Sequence, residues 1–293
     1  MLLILSSQLV KATDIKTTTF AFWDKPDIEL LYVLPKEINS ETKVLFIIHG
    51  ASRDAEGYLK LWIEPSKDKN VILVAPSFTK KQFRYYSTLG ISSSSGKPRD
   101  KSEWLTDSIG SFFTYFKSKY SLQYDKYLIY GYSGGSQFVH RYLMYGKDWS
   151  IEKAAIGSAG WYTFLNNKPF PYGLKDMTIS PGRIEWLMSR KVLFILSDED
   201  NDRNHSSLNT TPGSMQQGDN RFVRGTRYFS SLINIGEKFK TPFRWQLKIV
   251  KGVAHDKDEI SIEAMPFMLS GLCLLYTSPS PRDVEESRMP SSA

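Results

Sequence analysis

The chain has 293 residues, 41% hydrophobic and 24% charged, with 14 Pro, 19 Gly and a net charge of +7. That composition is ordinary for a globular protein and excludes collagenous or low-complexity chains. The apolar runs, Met1–Leu5 among them, fall far short of the roughly 18–20 residues that cross a bilayer, so no membrane span is expected. The basic residues are scattered, and the densest group, Lys80, Lys81 and Arg84, reads as solvated surface, so no nucleic-acid partner is expected. Cys273 is the one cysteine, which rules out an intrachain disulfide.

In chain order, residues 1–18 come first. Met1–Ala12 is partly apolar, and Val10-Lys11-Ala12 fits a small-residue cleavage site, but no basic segment precedes it. The stretch reads equally as a clipped signal peptide or as an ordinary first segment, which leaves export and a cytoplasmic location equally open. Residues 19–272 read as one domain. Thr19–Phe22 with Ile28–Leu34 suggests an opening antiparallel pair. Strands are then expected at Val44–Ile48, Val71–Ala75, Tyr127–Tyr130, Ala154–Gly157, Val192–Leu196 and Trp245–Val250. Several are continuously apolar, as strands covered on both faces are.

Between the strands, Leu105, Ile109, Phe112, Phe113 and Phe116 draw an apolar stripe on a helix, and Ser136–Gly146 and Asp258–Leu269 also suit helices. Alternation of this kind predicts an α/β fold: one doubly wound, mostly parallel sheet flanked by helices. Ser77–Ser102 carries Ser92–Ser95, Gly96 and Pro98 and reads as a mobile surface connection; Asn201–Gly218 is a second irregular stretch. At the end, Cys273–Asp283 and, after a gap, Ser287–Ala293 resemble the translation of a transposon-type sequencing-library adapter in one frame. Residues 273–293 are therefore read as non-native.

The strongest chemical signal is Gly131-Tyr132-Ser133-Gly134-Gly135. It follows an apolar strand and precedes a helix, the setting in which a tight turn lifts a serine above a sheet edge. A serine hydroxyl needs a base, and the base needs an orienting acid. His255, in Gly252-Val253-Ala254-His255, follows the last strand and is the candidate base. The acid should lie in Ser197–Asp202 after the Val192–Leu196 strand; Asp200 is favoured, with Asp198 and Asp202 as alternatives. His49-Gly50-Ala51 ends another buried strand, so the amides of Ala51 and Gly134 are the candidate oxyanion donors. His49 reads as orienting its loop and His140 as a packed helix residue; His205 reads as a surface residue, with the mouth of the site as the alternative. Trp161 and Tyr162 are candidate substrate contacts, though packing is the favoured reading for them and for Phe164, Phe170 and Tyr172.

These motifs, with Gln137–Arg141, Ser158–Tyr162, Gln217-Gly218 and Asn220-Arg221, resemble the α/β-hydrolase superfamily from about Leu30 to Leu272. Within it the chain is similar to bacterial esterases of the polyhydroxybutyrate-depolymerase and feruloyl-esterase types. The order Ser133, Asp200, His255 is the order of that superfamily. The resemblance implies the α/β-hydrolase fold and a serine hydrolase that cleaves carboxylic esters, small or polymeric, through an acyl-enzyme. It implies neither metal nor cofactor. Amide cleavage on the same triad and a non-catalytic binding protein of the same fold are the competing readings, and the oligomeric state is left open.

Overall fold

The computed structural model describes residues 14–272 except 176. The adapter-like segment and residues 1–13 lie outside the described residues. Eight strands form one sheet in the order β1-β2-β4-β3-β5-β6-β7-β8. They are β1 (Lys16–Phe20), β2 (Ile28–Val33), β3 (Lys43–Ile48), β4 (Val71–Pro76), β5 (Tyr127–Tyr132), β6 (Ile151–Gly157), β7 (Lys191–Ser197) and β8 (Trp245–Val250). The β1–β2 and β2–β4 pairs are antiparallel and the others parallel.

The helices are α1 (Ala55–Ser66), α2 (Ser108–Lys119), α3 (Gly134–Tyr145), α4 (Pro181–Ser189), α5 (Pro212–Met215), α6 (Arg221–Phe239) and α7 (Lys257–Leu269). The continuous apolar strands follow from coverage on both faces. In β3, Val44, Phe46 and Ile48 join one core with residues of α2, α3, α4 and α6, whereas Leu45 and Ile47 join a second core with α1 and α7. Period-two alternation thus persists, but each face meets an apolar layer. Side chains define the helix starts: Asp54 caps α1 by accepting from the Gly57 amide at 2.8 Å, and Asn220 caps α6 by accepting from Val223 at 2.9 Å.

Three expectations change. The opening strand begins at Lys16, so the sheet takes in residues of the segment expected to precede the domain. Its Lys-Thr-Thr-Thr-Phe run has little apolar alternation, but it pairs from Lys16↔Tyr32 to Phe20↔Ile28. Helices α1, α4, α5 and α6 occupy stretches where no specific helix had been placed. Ser77–Ser102 is packed into the core instead of running loosely over the surface: Phe78, Phe83, Tyr86, Leu89 and Ile91 are buried. The Arg53 guanidinium pins this loop by donating to the carbonyls of Phe78, Phe83 and Arg84 at 2.5, 3.0 and 2.9 Å.

The chain reverses direction across the sheet at β3, because β4 lies on one side of it and β5 on the other. In open α/β sheets, the carboxyl ends of strands at such a switch point form the natural crevice for a ligand. Here those ends carry Gly50-Ala51 and Ser133.

Candidate active site

Ser133 sits between β5 and α3 with φ 52° and ψ −112°, a conformation that costs a non-glycine residue energy and is typical of functional turns. The flanking glycines are steric requirements. A Cβ at Gly131 would lie 2.4 Å from the Gly135 carbonyl oxygen, and one at Gly135 would lie 2.0 Å from that of Ile48. The Ser133 amide donates to Gly157 O at 2.9 Å, which ties the turn to β6.

The structure brings His255 to this serine. Its Nε2 lies 2.9 Å from Ser133 Oγ, and its Nδ1 lies 2.7 Å from Asp200 Oδ2. The ring packs against Tyr132 with centroids 5.0 Å apart. Burial lowers the His255 pKa below the ordinary 6.5; the Asp200 carboxylate opposes this, and the charges of Arg221 and His205 reinforce it. Burial raises the Asp200 pKa, but the His255 bond and the Arg221 charge more than offset this and hold it below the usual value. An ionised Asp200 places the imidazole proton on Nδ1 and leaves Nε2 free to accept from the serine hydroxyl.

The three aspartates in this region have different partners. Asp200 faces His255. Asp198 instead ties down the loop that carries the histidine: it accepts from the Gly252 amide at 2.8 Å and pairs with Lys251 at 3.3 Å. The backbone adds Asp198 N to Val250 O at 3.1 Å and Glu199 N to Val253 O at 3.2 Å. Asp202 accepts only a local bond, from Asn204 N at 2.8 Å.

On the other side of Ser133, Gly134 opens α3, so its amide is among those that a helix leaves without an internal partner. A Cβ at Gly134 would lie 3.2 Å from the Ala51 nitrogen, so the two nominated amides are neighbours. The Ala51 loop is held by His49. Its Nε2 accepts from Phe78 N at 3.1 Å, which leaves Nδ1–H to donate to Gly50 O at 2.9 Å. Burial lowers the His49 pKa to about 4. Tyr86 Oη donates to His49 O at 2.8 Å. His140 is built alike, with Nε2 accepting from Thr163 N at 3.1 Å and Nδ1 at 2.9 Å from Ser136 O.

For the two aromatics named as candidate substrate contacts, burial favours packing. Tyr162 has no exposed surface and stacks on Tyr228 at 4.5 Å, so it is core. Trp161 keeps 3% of its surface, with the Arg141 guanidinium over its ring at 4.2 Å and Tyr172 at 5.1 Å. Both pack because the chain after β6 is tied to α3, with Thr163 N donating to His140 Nε2 at 3.1 Å and Arg141 Nε to Thr163 Oγ1 at 2.8 Å. His205, for which both a surface position and the mouth of the site were open, is partly exposed and lies beside the site, its ring 5.8 Å from that of His255. Arg221 had no assigned role, yet it reaches Asp200 Oδ1 at 2.9 Å. The sequence reading had marked it only as part of the Asn220-Arg221 pair of the family resemblance; the ion pair spans 21 positions. Among the described residues, no three His, Cys, Asp or Glu side chains gather as metal ligands, and no helix is long and apolar enough to cross a membrane.

No family model matches the chain, and no curated protein matches it in sequence. Solved structures do. Poly(aspartic acid) hydrolase-1 from Sphingomonas sp. KT-1 superposes with a TM-score of 0.80 at 29% identity, covering 87% of this chain and 98% of the other. The poly(3-hydroxybutyrate) depolymerase LpqC from Bordetella parapertussis gives 0.79 at 20% identity, covering 94% of each chain. FphF, a fluorophosphonate-binding serine hydrolase of Staphylococcus aureus, gives 0.57 at 14% identity, over 88% of this chain and 98% of the other. The last two likenesses speak to fold alone, and the first carries further. With its mostly parallel sheet, the flanking helices and this likeness, the chain is a hydrolase of the α/β-hydrolase type.

Proposed function

We propose that the protein is a serine hydrolase that cleaves carboxylic esters through an acyl-enzyme. The observation that carries this reading is the unbroken chain Ser133 Oγ, His255 Nε2, His255 Nδ1, Asp200 Oδ2, with links of 2.9 and 2.7 Å. Ser133 Oγ attacks the carbonyl carbon while His255 Nε2 takes its proton. Asp200 keeps the imidazole in the required tautomer and stabilises the cation that forms. The carbonyl oxygen becomes an oxyanion facing the Ala51 and Gly134 amides, each such donor contributing about 3–4 kcal/mol in comparable sites. The imidazolium then protonates the leaving alkoxide. Water, deprotonated by His255, releases the acid and restores Ser133.

Amide cleavage by the same groups is the second reading. It is supported by the likeness to a hydrolase named for poly(aspartic acid), a polymer of amide links. A fluorophosphonate probe tests the shared chemistry: the wild-type chain should label and Ser133→Ala should not. An unlabelled, folded wild type would end both readings. A p-nitrophenyl ester series of rising acyl length, run beside peptide amides and poly(aspartic acid), then separates them.

A further inference from the structure

We infer that Arg221 is a positioning residue for the Ser133–His255–Asp200 chain, holding the aspartate in line with the imidazole through a buried ion pair anchored on the 205–207 turn. The inference rests on the serine-hydrolase reading above.

Asp200 has two carboxylate oxygens, and each has one partner. Oδ2 takes His255 Nδ1, and Oδ1 takes Arg221 Nη1 at 2.9 Å. Both members of the ion pair are sealed from water, with side chains 3% and 4% exposed. A carboxylate held at both oxygens cannot rotate away from the ring. The guanidinium is itself fixed: Nη2 donates to Ser207 Oγ at 2.8 Å and lies 3.3 Å from His205 Nδ1. The next residue adds a backbone tie, Phe222 N to Asp200 O at 3.1 Å. The first turn of α6, a helix of 19 residues, thus grips Asp200 by main chain and side chain together. A lysine has the charge but not the planar fork that reaches the carboxylate and the 205–207 turn at once.

The same placement sets a sign for the pH dependence. The titratable and charged groups facing His255 are Asp200 from the loop after β7, Arg221 from α6, His205 from the 201–218 stretch and Tyr132 at the end of β5. Asp200 favours the imidazolium, whereas Arg221 opposes it. Without Arg221, the imidazole faces the carboxylate with less opposition and takes its proton at higher pH. A purely structural arginine would alter stability and leave the acid limb of the rate profile in place.

The test uses the full chain and its Arg221→Gln, Arg221→Lys and Ser207→Ala variants. It measures kcat and KM against pH on a small neutral ester by pH-stat, with fluorophosphonate labelling rate and Tm alongside. In Arg221→Gln, kcat should fall about 10- to 100-fold, below the ~10⁴ typical of an Asp→Asn change in such a triad, with KM little moved. Its acid limb should rise by about one pH unit. Arg221→Lys should return the limb towards the wild-type position without restoring kcat fully, and Ser207→Ala should lower kcat by about two- to fivefold. A folded Arg221→Gln with wild-type kcat and acid limb overturns the inference while leaving the hydrolase reading intact. If that variant does not fold, wild-type kcat in both Arg221→Lys and Ser207→Ala overturns it. A wild type that takes no label ends the hydrolase reading and this inference together, an outcome distinct from the other two.

Discussion

His49 and His255 are imidazoles with hydrogen bonds at both ring nitrogens, following the carboxyl ends of β3 and β8, His49 fully buried and the His255 side chain 10% exposed, yet their partners differ. His49 lies between a backbone N–H and a backbone carbonyl. An N–H pointing at Nε2 leaves no room for a proton there, and burial penalises the cation, so the ring is held neutral. His255 lies between a carboxylate and a hydroxyl. Those partners tolerate either protonation state, because the carboxylate stabilises the cation and the hydroxyl supplies the proton. Burial alone therefore makes a histidine a structural strut; a buried carboxylate on the far nitrogen is what makes it a candidate base.

Several changes would break or sharpen that contrast. Ser133→Ala should abolish fluorophosphonate labelling and lower kcat by roughly 10⁶-fold, as loss of a triad nucleophile does. Asp200→Asn should lower kcat by about 10⁴-fold by favouring the wrong tautomer. Asp198→Asn, which only loosens the loop carrying His255, should cost far less; equal losses in steady-state kinetics would remove the distinction between the two aspartates. Gly135→Ala drives a methyl group against the Ile48 carbonyl and should destabilise the fold by about 1–3 kcal/mol or more, read as a fall in Tm.

The remaining two changes concern protons. The lowered His255 pKa should place the acid limb of kcat/KM below pH 6.5; a limb above that value in the rate profile would contradict the burial of the ring. His49 acts on stability instead. Above pH 6.5 its ring is neutral whether the chain is folded or not; as pH falls from 6.5 to about 4, only the unfolded chain takes up the proton. Stability should therefore decline through that window, by about 3 kcal/mol from this group, as measured by urea unfolding at stepped pH. His49→Gln should flatten that part of the decline and leave the acid limb of kcat/KM where it was.

Much of this was legible in the sequence. The central strands β3, β4, β5 and β7 stood out because strands covered on both faces are apolar almost without interruption, whereas β8, with Gln246 and Lys248 in its run, lies at the sheet edge and keeps Leu247 and Ile249 exposed. Gly131, Ser133 and Gly135 stood out because no side chain fits where the turn meets Gly135 and β3. Helix α6 was missed although Arg221, Arg224, Gly225, Tyr228, Phe229, Leu232 and Gly236 are its buried residues; two of those seven are arginines and two are glycines, none of which carries an apolar signal. Trp161 and Tyr162 stayed ambiguous because an aromatic pair after a strand has the same local pattern whether it lines a pocket or fills a core.

The sequence by itself determined most of the strands and the strained turn at Ser133, since each depends on residues close together in the chain. Only the tertiary structure decided which of three nearby aspartates faces the imidazole, that Arg221 braces it, and that His205 stands beside it. Those contacts join side chains from separate loops. Their partners are chosen by how β5, β7, β8 and α6 pack side by side, and no local pattern records that arrangement.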